Sequence, residues 1–122
     1  MTARTLARIQ ALSRLALGVG LVAAPGPLAG AWVGAAADHR PGQTLAMGLG
    51  GRDVAIALGT LQGLTARRGA RAWLRAGIAA DVADLAATVR ARRDIPAVSV
   101  PVTVALAGGS VLLGAYLQAA LD

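Results

Sequence analysis

Apolar residues run through this chain in four long blocks, and most of the polar residues fall between them. The first block, TLARIQALSRLALGVGLVAA at 5–24, ends at Pro25 and Pro27, and each proline disfavours helical backbone at the residue before it. The following PLAGAWVGAA reads as a short interfacial piece anchored by Trp32, and DHRPGQ reads as a polar turn. The second block, about 44–64, covers the roughly 30 Å of a bilayer's hydrocarbon layer at about 1.5 Å per residue and closes at TARRGAR. A third, 72–89, has only 14 residues between Arg75 and Arg90, so its ends must snorkel or be sheltered by neighbours. The fourth, 97–121, follows RARRDIP and is rich in small residues.

The pattern predicts an all-α fold, an integral membrane four-helix bundle forming one domain over 1–122, with a short interfacial segment after the first helix. Composition agrees. Of 122 residues, 56% are apolar and only 18 are charged, 12 of them Arg and none Lys or Glu. A water-soluble helical domain needs a more generously charged exterior. The net charge of +6 raises the question of nucleic acid, but stacking aromatics are nearly absent and the Arg residues flank apolar runs, which excludes it as a partner. Without Cys there are no disulfides, thiol nucleophiles or thiolate metal sites.

Four spans put both termini on one side. Arg4, Arg8, Arg67, Arg68, Arg71 and Arg75 flank the spans there, against Arg40, Arg90, Arg92 and Arg93 on the other, so the expected side is the cytoplasm, at a bacterial inner membrane. The amino-terminal block imitates a signal peptide, with GAAAD as a cleavage-like site, but the rest of the chain is equally membrane-like and an uncleaved first helix is expected.

Within the blocks, polar residues fall on faces. In the first, Gln10, Arg14 and Gly18 form a stripe. In the third, Trp73, Gly77, Asp81, Asp84 and Thr88 share one helical face. Arg52 and Asp53 stand side by side in the second, about 100° apart around the helix, so they cannot both face lipid and are expected to turn inward. Gly48, Gly50, Gly51 and Gly59 permit close approach of another backbone, and Thr103, Ala107, Ser110 and Gly114 give the fourth block a small, weakly polar packing face.

Two Arg, 14 and 52, and three Asp, 53, 81 and 84, then lie in a low-dielectric layer with a sum of minus one. One proton, on one Asp or shared between Asp81 and Asp84, relieves the surplus and leaves a neutral acid beside an ionised base. Acid/base catalysis needs such a pair, and so does a proton-coupled carrier. Arg52, Asp53, Asp81 and Asp84 are therefore the catalytic candidates, with Gln10, Arg14, Trp73 and Thr88 lining the binding region. Trp32, Trp73 and Tyr116 lie near span ends, where interfacial anchoring accounts for them, although Trp73 could line a pocket.

Two motifs fail on context. GVGLVA has dinucleotide-binding spacing but no preceding strand, and DVAD has the spacing of a Mg²⁺ motif for diphosphates but no second acidic motif. No cofactor and no metal is expected.

The order RLALGVGLVAAPGPLAG, GLGGRDVAIALG, RAGIAADVADL resembles a group of small, uncharacterised four-helix membrane proteins with a Gly-Arg-Asp motif in the second helix and Asp in the third. The resemblance implies the four-helix architecture and no activity.

Three functions compete. The first is an enzyme acting on a lipophilic small molecule that enters from the membrane lipid. Its Asp-Arg-Asp constellation is similar to that of small soluble epoxide hydrolases, with Asp81 or Asp84 as acid, Asp53 as base and Arg52 as orienter. Epoxide opening, cyclisation and isomerisation are the reactions such a site can run. The second is an accessory subunit in which Arg and Asp latch the helices, with Gly- and Ala-rich faces serving as interfaces to a larger complex or a second copy. The third, a small proton-coupled transporter, is weakened by the scarcity of aromatics for a cationic substrate.

Overall fold

The computed structural model describes residues 1–121 and is all-α, with no strand among the described residues. Helix α1 spans Ala3–Ala23, and the Thr2 hydroxyl accepts from the Thr5 amide at 3.1 Å to cap it. The chain breaks at Ala24, and α2, Pro25–Val33, begins at once with Pro25 in its first turn, where a missing amide hydrogen costs nothing. The proline pair thus interrupts the helix and restarts it.

A 3₁₀ turn over Gly34–Asp38 leads to α3, Arg40–Thr65. DHRPGQ is consequently not a turn throughout. Arg40 to Gln43 already belong to α3, with Pro41 in the first turn, and Gln43 Nε2 donates to the Ala37 carbonyl at 2.9 Å. Helix α4 is Ala70–Arg90 and α5 is Ser99–Ala120, the latter containing a π-helical turn over Val104–Gly108. Two of these helices, α1 and α5, are long and apolar enough to cross a membrane.

The long helices close a ring in which α1 packs on α3, α3 on α4, α4 on α5 and α5 on α1. Apolar clusters fill both ends. Ala7, Leu64, Leu74 and Leu117 pack together at one end and Leu21, Ala29, Ala37 and Ala46 at the other. The layer between them is polar. Asp53 is 4% exposed and Asp81 7%, whereas Leu45, Leu106 and Leu112 on the exterior are at least 70% exposed. That is the reverse of the usual arrangement of a protein in water.

The α1–α3 crossing depends on glycine at two positions. A Cβ on Gly18 would lie 2.7 Å from the Gly50 carbonyl oxygen, and one on Gly50 would lie 2.6 Å from the Gly18 oxygen. Gly48 and Gly51, expected to serve the same purpose, have open space around them instead. Gly50→Ala is therefore expected to cost about 1–3 kcal/mol by overpacking. Gly51→Ala is expected to gain up to about 1 kcal/mol from helix propensity. Parallel denaturation of the two variants in detergent checks the pair, and an equal response to both would contradict this crossing.

Candidate functional site

Five charged side chains from three helices meet in the polar layer. Arg14 of α1 donates through Nη1 to Asp53 Oδ1 of α3 at 3.2 Å and through Nη2 to Asp81 Oδ2 of α4 at 2.5 Å. It also reaches Ser110 Oγ of α5 at 3.4 Å, so one guanidinium touches all three other long helices. Arg52 grips Asp84 with two parallel bonds, Nη1 to Oδ1 at 2.9 Å and Nη2 to Oδ2 at 2.7 Å. Through Nε and Nη2 it also donates to Asp53 Oδ1, at 3.2 and 3.1 Å. The groups alternate in sign along the chain Asp84, Arg52, Asp53, Arg14, Asp81, with a carboxylate at each end.

Arg52 and Asp53 do turn inward, and Asp81 and Asp84 do lie on one side of α4. Those two Asp side chains are held by different Arg residues, Asp81 by Arg14 and Asp84 by Arg52. Three residues along a helix are about 4.5 Å of rise, and the two guanidiniums arrive at different heights. The bridging role expected of Arg52 alone is divided. Arg52 links Asp53 to Asp84, and Arg14, expected only to line the binding region, links Asp53 to Asp81.

The network is not uniformly buried. The Arg14, Asp53 and Asp81 side chains are 11%, 6% and 10% exposed, whereas Arg52 and Asp84 reach 28% and 20%. The carboxylates also differ in how many donors hold them. Asp53 takes three N–H groups on Oδ1, Asp84 takes one on each oxygen, and Asp81 takes one in all.

Three of the four predicted binding residues lie together. Gln10, Arg14 and Trp73 line a small cavity of about 10 Å³ with Ile56, Thr60 and Gly77, between α1, α3 and α4. Gln10 Nε2 donates to both the carbonyl and the hydroxyl oxygen of Ser110, each at 3.0 Å. The carbonyl needs a donor, so the amide orientation is set and Oε1 points the other way. Gln10 Oε1 is buried with no hydrogen-bond partner among the described residues. A buried acceptor of this kind suits a donor group on a bound molecule. Trp73, one of the lining residues, packs its indole against Gly59.

Thr88 lies elsewhere. Its hydroxyl donates to the Asp84 carbonyl at 2.7 Å and accepts from Trp32 Nε1 at 2.9 Å, while Ser99 Oγ donates to the Trp32 carbonyl at 2.6 Å. Trp32, expected to be an interfacial anchor, thus ties α2 to α4 and α5. Ser110, expected only to pack, accepts from both Gln10 and Arg14. The signal available for it was its place on the small-residue face of the fourth block. Among the described residues no group of His, Asp or Glu side chains has a geometry that could hold a metal ion.

Comparison of the chain with protein-family models, with curated proteins and with solved structures finds no match.

Proposed function

We propose that this is a small integral membrane protein in which four membrane-spanning helices, α1, α3, α4 and α5, surround an acid/base site acting on a lipophilic small molecule. An apolar exterior around a charged interior supports the membrane placement, since lipid removes the penalty for exposed Leu and Val and heightens that for an exposed ion. Arg4, Arg67, Arg68 and Arg71 gather at one end, which supports termini in the cytoplasm of a bacterial inner membrane. A reporter active only in the periplasm is expected to stay silent when fused to either terminus. Activity at both ends would invert the orientation, and activity at one end would remove a span.

The observation that carries the catalytic reading is Arg14 held between Asp53 and Asp81 beside a cavity lined by Gln10, Thr60 and Trp73. Two Arg and three Asp sum to minus one, so a single proton brings the network to zero. Among the three carboxyl groups, Asp81 has the fewest donors, one guanidinium N–H. Asp81 is then the acid, Asp53 the base through its Oδ2, and Arg14 the group that orients both. Arg52 and Asp84 hold Asp53 from behind.

With an epoxide, Asp81 gives its proton to the ring oxygen as the C–O bond breaks. Asp53 takes a proton from the water whose oxygen forms the new C–O bond. Return of that proton from Asp53 to Asp81 completes a turnover that consumes one water. A substrate carrying an internal nucleophile would cyclise by the same proton transfers. Because the cavity is only about 10 Å³, a substrate enters only if the side chains that line it move.

The tightness of that cavity also favours a second reading, in which the network is a latch fixing helix register and binds nothing. The discriminating experiment places the protein in lipid nanodiscs with a panel of lipophilic epoxides and polyenes and follows products by mass spectrometry. Product formation that Asp81→Asn abolishes supports the enzyme. Inertness across the panel favours the latch.

A further inference from the structure

A second cavity lies away from the acid/base site. It is a half-open cavity at the end of the ring where α1 begins and α3 turns into α4, with a volume of about 240 Å³, and is lined by Arg4, Arg67, Arg68 and Arg71 together with Gly63 and Leu121. No carboxylate lines it among the described residues. We propose that this cavity is a binding site for a phosphate group, separate from the acid/base site and independent of whether that site is catalytic.

Arg residues from the start of α1, the α3–α4 loop and the first turn of α4 converge on this cavity, and guanidinium forks match phosphate oxygens in pairs. The backbone adds to the field. Helix α4 starts at Ala70, on the cavity wall, and its 21 residues carry no acidic side chain in the first turn and no side-chain cap. Its positive end therefore faces the cavity unneutralised by any side chain of its own first turn. The cavity is also held in shape. Arg4 Nη1 donates to the Leu64 carbonyl at 3.1 Å, and the Arg68 amide donates to the Gly63 carbonyl at 3.0 Å, fixing the loop that presents Arg67 and Arg68.

Size narrows the ligand class. Sites for drug-sized molecules run from about 300 to 1,000 Å³, so this one suits a phosphate with its immediate substituent and not a whole lipid. The phosphate could belong to the headgroup of an anionic lipid whose tails stay outside, or to a small soluble phosphate. The recognition chemistry is the same for both.

Calorimetric titration of the full-length protein in neutral detergent separates the sources, with inorganic phosphate in one arm and short-chain phosphatidic acid in the other. Short-chain phosphatidylcholine and chloride at matched ionic strength serve as controls. Saturable binding in at least one arm is expected, weakening as salt rises. Binding of inorganic phosphate identifies a site for the group itself, and binding of phosphatidic acid alone identifies the lipid headgroup. The combined R67Q, R68Q and R71Q variant is expected to weaken binding about tenfold or more, equivalent to at least one charge-assisted hydrogen bond. All three residues are exposed, so the variant is expected to fold, and R68Q alone serves where it does not. Binding no stronger than that of the controls in both arms, or unchanged binding in the folded variant, would overturn the proposal.

Discussion

Replacing Arg14 with Leu is expected to destabilise the protein by about 3–5 kcal/mol, more than any other single substitution in the polar layer, because it leaves buried Asp81 without a cation and Asp53 with Arg52 alone. Arg14 touches Asp53, Asp81 and Ser110, and its side chain is only 11% exposed. Arg52→Leu removes four hydrogen bonds against three, but it strands Asp84 at a more open position, with a side-chain exposure of 20%, and Asp53 keeps Arg14. Its cost is expected to be smaller. The decisive comparison adds the double variant Arg14→Leu with Asp81→Leu. If the cost of the single change comes from leaving Asp81 buried without its partner, removing Asp81 as well should restore part of the lost stability. Denaturant titration of wild type, both singles and the double in one detergent measures this. Stability of Arg14→Leu close to wild type would mean that Arg14 does not hold the helices together.

Much of the architecture could be read from block length alone. Apolar runs of about twenty residues between Arg-rich segments locate α1, α3, α4 and α5 to within a few residues at most ends. The start of α3 was hidden because Arg40, Pro41, Gly42 and Gln43 look like a turn by composition, although proline is well suited to a first helical turn. Spacing also revealed which residues share a face. Gln10 and Arg14 both turn toward the interior, and Asp81, Asp84 and Thr88 all find partners on one side of α4.

Pairing across helices was not legible. It depends on the axial offset between neighbouring helices, and that offset is set by close contacts such as Gly18 on Gly50. A face pattern contains no information about such an offset. For the same reason Gly48 and Gly51 could not be distinguished from Gly50 before the crossing point was known. The four Arg residues of the end cavity were visible only as flanking charge. Folding brings Arg4 to the α3–α4 loop, some sixty residues away in sequence, and turns that charge into a lined cavity.

Asp81→Asn is expected to leave stability within about 1 kcal/mol of wild type and to lower turnover by about 10²–10⁴, the usual contribution of a positioned acid or base. The two halves of this expectation have different causes. An amide is uncharged and close in shape to a protonated carboxyl, so Arg14 keeps an oxygen to bond and the network sits at zero charge without a mobile proton. Asn nevertheless cannot deliver a proton to a leaving oxygen. Asp84→Asn is the necessary contrast. Asp84 meets Arg52 through both oxygens, and an amide can offer only one acceptor to that fork. Asp84→Asn should therefore cost more stability than Asp81→Asn while affecting turnover mainly through the placement of Asp53. Thermal unfolding and product formation measured on the same nanodisc samples separate the two effects. If the network is only a latch, Asp84→Asn alone shows a stability loss and no variant changes chemistry, because there is none to change. If Asp81→Asn retains full turnover on a substrate the wild type converts, Asp81 is not the acid, and the role passes to a carboxylate whose own Asn variant loses activity.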